Sequence, residues 1–191
     1  YPDFIHVDIV DKTMNDEALD PNLSKIEVVR AYWPNHVIET HIMSKNPLCL
    51  INDNILNFSD IIYVHNEIEN KDEVVNKIKN KNKTPGIVLH SINKYTNLEK
   101  IIDQFNQILI LSIKKPGFSG QEFNEKSYEL IEQINSTKSR NRLTVCVDGG
   151  VKSKIINKFI SEKVVSGSEV LNNKNPIRKI MSLQTLARYE K

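Results

Sequence analysis

The chain has 191 residues, 39% apolar and 26% charged, with 26 Lys and Arg against 24 Asp and Glu for a formal charge of +2. That supplies one sizeable core and not two, and the near-balance argues against a nucleic-acid-binding face, which needs a clustered basic excess. Mean hydropathy is −0.40, and no apolar run reaches the roughly 18 residues of a membrane span. The opening residues show no basic stretch followed by an apolar one, so the expectation is no secretory leader and a cytoplasmic setting. Cys49 and Cys146 are too few for a disulfide framework, and without a Cys-x-x-Cys pair a zinc ribbon is excluded. The chain opens at Tyr1, not Met, on residues that already read as strand, as a piece of a longer chain would.

Short β-branched runs alternate with longer stretches of helical period. The prediction, in order, is strand 4–10, helix 25–32, strand 37–43, helix 47–56, strand 60–64, helix 72–81 and strand 86–89. It continues with helix 98–105, strand 108–113, helix 126–134, strand 143–147, helix 152–162, strand 164–166 and helix 176–189. Ser24, Asn46, Asn97 and Asn175 are the expected N-caps, two of them followed by Pro at the first helical position. The lysine-rich run 77–83 reads as a solvated helix end and loop. Strand spacing of roughly 30 residues suits βα units in a parallel sheet. Seven such pairs can be counted, against eight in a barrel that in compact form runs to roughly 200 residues. The expected fold class is therefore α/β: a (β/α)8 TIM barrel whose first βα unit is not among these residues, in a single domain over 1–191. A doubly wound sheet would announce itself with a Gly-rich first turn, and none is found.

Strand alternation carries the first functional clue. His6, Asp8 and Val10 share one face of the first strand, and Ile5, Val7 and Ile9 share the other. The apolar face suits an outer helix layer; the His6/Asp8 face would then point into the barrel. The same split sets Glu39, His41 and Met43 against Ile38, Thr40 and Ile42. It also sets Tyr63 and His65 against Ile62 and Val64, and Cys146 and Asp148 against Val145 and Val147. Barrel active sites are built at the C-terminal ends of strands. A lone strand histidine is usually a satisfied core residue, and a lone Asp before Gly-Gly usually a turn residue. Together, imidazoles and carboxylates converging on one mouth would be costly to desolvate without a cation. Such ligands suit Zn²⁺, Fe²⁺ or Mn²⁺ better than Ca²⁺.

Lys115-Pro116-Gly117-Phe118-Ser119-Gly120-Gln121 follows the fifth strand, and its two glycines let backbone N–H groups approach an anion. Asp148-Gly149-Gly150 and Ser166-Gly167-Ser168 follow the last two strands, where barrels recurrently bind phosphate through backbone amides.

These residues resemble the ribulose-phosphate 3-epimerase family. Phe4-Ile5-His6-Val7-Asp8-Ile9-Val10-Asp11 is similar to the family block W-I-H-V-D-V-M-D. Glu39-Thr40-His41-Ile42-Met43 with Asn46-Pro47 is similar to D-x-H-L-M-V-x-x-P. Pro116-Gly117-Phe118-Ser119-Gly120-Gln121 with Phe123 is similar to P-G-F-G-G-Q-x-F. Val147-Asp148-Gly149-Gly150-Val151 and Gly167-Ser168 match the last two strand ends, and the blocks keep the family's order from Phe4 to Leu171. The resemblance implies a (β/α)8 barrel, a divalent metal (Zn²⁺, Fe²⁺ or Mn²⁺) held by His6, Asp8, His41 and Asp148, and an acid/base pair of Asp8 and Asp148. It implies a substrate pocket that includes Met43, with the phosphate held by Gly117, Phe118, Ser119, Gly120, Gly149, Gly150, Gly167 and Ser168. It implies a sugar-phosphate substrate and a homo-oligomer, with no nucleic-acid or membrane partner. The family's first βα unit precedes the His-Val-Asp block. That unit is expected in the full protein, because an open barrel would expose two strand edges.

The chemistry accounts for the residue types. Epimerisation beside a ketone needs one carboxylate to take the C3 proton and a second, on the opposite face, to return one. A metal stabilises the charge of the enediolate between them. D-Ribulose 5-phosphate and D-xylulose 5-phosphate are the expected pair.

Departures concern the pocket more than the chemistry. Two family methionine positions hold Val10 and Ser112, a family Gly is Lys12, and the loop's second Gly is Ser119. The loop running to Pro21-Asn22 is longer than usual, and the stretch from Val151 to Gly167 is shorter, losing the usual G-A-D. Competing readings are therefore an epimerase of another sugar phosphate, or a degenerate module that binds phosphosugar without turnover. The related decarboxylases carry D-x-K-x-x-D, and Val10 fills the slot of that Lys. His90, His36 and Trp33 read as structural, with His36 exposed in a turn. Both cysteines read as unreactive.

Overall fold

A computed structural model describes residues 1–189. The described chain forms two compact units. One holds Asp3–Val88 with Lys115–Gly117; the other holds Tyr1–Pro2, Leu89–Lys114 and the chain from Phe118 onward.

In the first unit, β1 (Phe4–Val10), β2 (Val37–Met43), β3 (Ile61–His65) and the start of β4 (Thr84–His90) pair in parallel, in chain order. Between them run α1 (Lys25–Tyr32), α2 (Asp53–Phe58) and α3 (Lys71–Lys79). Alternation decides which side meets the helices. Ile9, Ile38, Ile42, Ile62 and Val64 form one buried cluster with Ile26, Ile55, Val74 and Ile78, and Ile5 and Val7 pack against it. The opposite face carries His6, Asp8, Glu39, His41, Met43, Tyr63 and His65, as the alternation predicts. Pairing aligns His6 with Glu39, Asp8 with His41, His41 with Tyr63, and Tyr63 with Gly86. Gly86 is required there: a Cβ on it would stand 2.2 Å from Tyr63 Cδ1.

In the second unit, β5 (Gln107–Leu111), β6 (Thr144–Asp148) and β7 (Lys163–Val165) pair in parallel. The helices are α4 (Leu98–Ile102), α5 (Lys126–Asn135), α6 (Gly167–Leu171) and α7 (Pro176–Tyr189). Strand order follows the chain from β1 to β7. Parallel strands in chain order, joined mostly by helices, are the fold class of a (β/α)8 barrel, here with seven strands among the described residues.

Several local expectations are corrected. No α-helix covers 152–162: the segment is a series of turns. Its start is pinned by Glu169, which accepts from the Ser153 backbone N–H at 3.0 Å and the Ser153 hydroxyl at 2.6 Å, while Ile156 and Phe159 still bury themselves. Residues 47–56 are not one helix but a 3₁₀ turn at Pro47–Cys49 followed by α2. The break is at Asn52, whose side chain accepts from the Ile55 N–H at 3.2 Å and so starts a new helix. α4 stops at Ile102, short of the predicted 105, and β4 starts earlier than predicted, at Thr84. Of the four expected caps, Asn175 accepts from the Arg178 N–H at 3.0 Å. Ser24, Asn46 and Asn97 make no side-chain cap bond. His36 is half-buried rather than exposed, with its ring edge-on to Trp33 at 4.7 Å.

Candidate active site

The interior face of the first unit gathers five ionisable groups from adjacent strands. His6 and Asp8 come from β1, and His41 from the register partner of Asp8 on β2. His41 Nδ1 lies 3.2 Å from Asp8 Oδ1, and His6 Nε2 lies 3.4 Å from the same oxygen. One ligand atom from each of these three residues falls within 4.8 Å of the others. His65, at the end of β3, sets its Nε2 3.0 Å from His41 Nε2. Glu39 lies fully buried, with Oε2 3.6 Å from His6 Nδ1. Met43 ends β2 on the same face and is buried.

Electrostatics set the charge states. Burial pushes the Asp8 carboxyl up, but hydrogen bonds from His41 and His6 outweigh it and hold Asp8 well below the ordinary carboxylate range. Burial drives the His41 imidazole down to about 4, although its bond to Asp8 works the other way. At neutral pH the pair is thus a carboxylate beside a neutral imidazole. Two imidazole nitrogens and a carboxylate oxygen so close together form a donor set that fits Zn²⁺, Fe²⁺ or Mn²⁺.

Gly117 also belongs to this unit. Its φ is +79°, and a Cβ on it would stand 2.7 Å from Val10 Cγ1. Its carbonyl accepts from Asn15 Nδ2 at 3.2 Å.

The second unit carries the remaining predicted residues. Asp148 ends β6 and is buried, with Cys146 below it on the same face. Gly149 and Gly150 follow with φ of +108° and +68°. A Cβ on Gly150 would meet the Phe123 backbone nitrogen at 2.4 Å, so the turn demands glycine. Ser112, in the slot of a family methionine, aims its hydroxyl at the Asp148 and Gly149 carbonyls, each at 2.7 Å. Phe118 accepts at its carbonyl from Gln121 Nε2 at 2.8 Å, and Ser119 and Gly120 are exposed. Gly167 and Ser168 open α6. His90 is buried with Nε2 2.7 Å from the Ile113 carbonyl, a structural contact.

A model of the ribulose-phosphate 3 epimerase family matches residues 2–171. The chain belongs to that family. Its members are isomerases, and curated relatives named ribulose-phosphate 3-epimerase align along most of this chain. The Helicobacter pylori enzyme is 29% identical over 96% of this chain and 86% of its own. The Encephalitozoon cuniculi enzyme is 28% identical over 78% of this chain and 65% of its own. Among solved structures, 3-hexulose-6-phosphate synthase from Salmonella typhimurium superposes with a TM-score of 0.69 at 10% identity, covering 98% of this chain and all 100% of that one. That likeness establishes the fold alone. Among the described residues no helix is long and apolar enough to cross a membrane.

Two neighbours of the site, Glu39 and His65, receive no role from the sequence. Both share the alternation face with His41, which is the one signal the sequence offers for either.

Proposed function

We propose that this protein is a metal-dependent epimerase that inverts C3 of a ketose phosphate, D-ribulose 5-phosphate and D-xylulose 5-phosphate, in a cytoplasmic setting. The observation that carries the reading is the Asp8 carboxylate held ionised between His6 and His41 near the C-terminal end of β1, in a chain of this family. His6, Asp8 and His41 would hold a divalent cation, with Asp148 as the fourth ligand. When bound, the cation supplies Lewis-acid stabilisation of negative charge on the substrate's oxygens.

The side chains do the rest. Asp8 takes the C3 proton, and Asp148 returns one to the opposite face; the reverse reaction exchanges their roles. Neutral His41 keeps a lone pair at neutral pH and takes no proton from the pair. Backbone amides near Gly117, Phe118, Ser119, Gly120, Gly149, Gly150, Gly167 and Ser168 receive the phosphate, and the positive φ at four of these glycines supports that use. Met43 packs beside the reacting carbons.

A second reading concerns the ketose. Val10 and Ser112 are smaller than the methionines of the family pattern, and the Ser112 hydroxyl is engaged by backbone carbonyls. Those exchanges favour a larger ketose phosphate over a change of reaction. The test is conversion of D-ribulose 5-phosphate to D-xylulose 5-phosphate by the metal-loaded protein, beside a panel of hexulose phosphates. Turnover abolished by a chelator and restored by metal supports the reading. Turnover confined to a hexulose phosphate selects the second. No turnover of any ketose phosphate by folded, metal-loaded protein contradicts both.

A further inference from the structure

His65 stands against the proposed ligand set without belonging to it. Its Nε2 is 3.0 Å from His41 Nε2, and the two rings meet edge to edge, with centroids 5.1 Å apart and planes 19° apart. His41 is 0% exposed and His65 2%, so neither ring can exchange this contact for water. Two imidazole nitrogens at that distance share one hydrogen: one ring donates and the other accepts. On their far edges, His41 Nδ1 is 3.2 Å from Asp8 Oδ1, and His65 Nδ1 is 3.7 Å from Glu67 Oε2.

With one hydrogen on each ring, two arrangements satisfy this geometry. In the first, His41 carries its hydrogen on Nδ1 and gives it to Asp8, and His65 donates from Nε2. In the second, His41 carries its hydrogen on Nε2 and donates it to His65 Nε2. His65 then carries its own hydrogen on Nδ1, on the side of Glu67. Only the second turns a lone pair of His41 toward Asp8, where the proposed cation would be shared.

We propose that, with the cation bound, His65 is a positioning residue for His41: it accepts the His41 Nε2 hydrogen, holds that ring in the tautomer whose Nδ1 lone pair faces Asp8, and thereby directs it as a metal ligand. The inference rests on the metal reading given above. Partners of this kind fix the tautomer of a ligating imidazole and raise its basicity, and removing them costs about 10–100-fold in metal affinity.

The test pairs two readouts, Zn²⁺ affinity by competition with a chromophoric chelator and the ring nitrogen–proton correlations of the Zn²⁺-loaded protein. The expected tautomers are Nε2–H for His41 and Nδ1–H for His65. His65→Leu is expected to lose about 10–100-fold in Zn²⁺ affinity. His65→Gln, whose amide oxygen can accept the same hydrogen, is expected to recover most of it. Wild-type affinity in a folded His65→Leu protein, or a hydrogen on His41 Nδ1 in the loaded protein, overturns the role. If His65→Leu does not fold, the ring correlations of the wild type decide. A wild-type protein that binds no Zn²⁺ overturns the metal reading, and this role with it. Wild-type binding with unaltered variants overturns this role alone.

Discussion

Gly86→Ala isolates one close approach beneath the candidate site. A Cβ at residue 86 would lie 2.2 Å from Tyr63 Cδ1 and 2.4 Å from Cε1, whereas carbon atoms rest at about 3.5–4.0 Å. The ring must therefore withdraw by more than an ångström. Tyr63 is fully buried, and its ring lies 6.3 Å from that of His6, so the displacement presses on packed neighbours. Overpacking of this kind costs about 1–3 kcal/mol. Replacing Gly by Ala also removes freedom from the unfolded chain, which offsets about 0.4–1 kcal/mol. The expected net loss is about 0–2.6 kcal/mol, or up to roughly 10 °C in melting temperature for a chain of this size. Urea denaturation of four proteins measures it: wild type, Gly86→Ala, Tyr63→Leu and the double variant. In the Tyr63→Leu background the ring edge is gone, so Gly86→Ala should become neutral or stabilising. The same loss in both backgrounds would refute the clash as the cause.

His41 has its pKa lowered to about 4, so between pH 6.5 and 4 the unfolded chain binds a proton that the native state refuses. Stability of the metal-free protein should fall as pH is lowered through that window, by about 2 kcal/mol from pH 7 to pH 5; urea midpoints at the two pH values check it, and His41→Gln should flatten the difference. Asp8 acts at lower pH, because its depressed carboxyl contributes stability above the ordinary carboxylate pKa and loses it only in stronger acid. Gly150→Ala meets backbone at 2.4 Å with φ at +68°, and should cost about 2–4 kcal/mol. Gly167→Ala has open space and should be nearly silent; urea denaturation of the two variants beside the wild type measures both.

β1 and β2 are legible in the sequence to the residue, because strict alternation with one apolar face leaves a single register and a single inner side. The same alternation by itself sets His6 and Asp8 on one face of β1 and His41 on the matching face of β2. What the sequence hides depends on partners distant along the chain. Nothing local in 152–162 announces that Glu169 will hold Ser153 in a turn, so its apolar period mimics a helix. Asn52 is a visible cap, followed by Asp and an apolar run, but Pro47 offers an earlier start that competes with it. The partnership of His65 with His41 needs the ring geometry, since period-two spacing gives the face and not the contact.

Solvent exchange at C3 tests the two-carboxylate claim most directly. Metal-loaded protein is incubated with D-ribulose 5-phosphate in D₂O, beside Asp8→Asn and Asp148→Asn, and deuterium at C3 is followed by NMR. Deuterium is expected at C3 with D-xylulose 5-phosphate formed, and a loss of at least about 10²–10⁴-fold in each variant. Deuterium exchange that survives in folded Asp8→Asn at the wild-type rate would contradict the two-carboxylate claim.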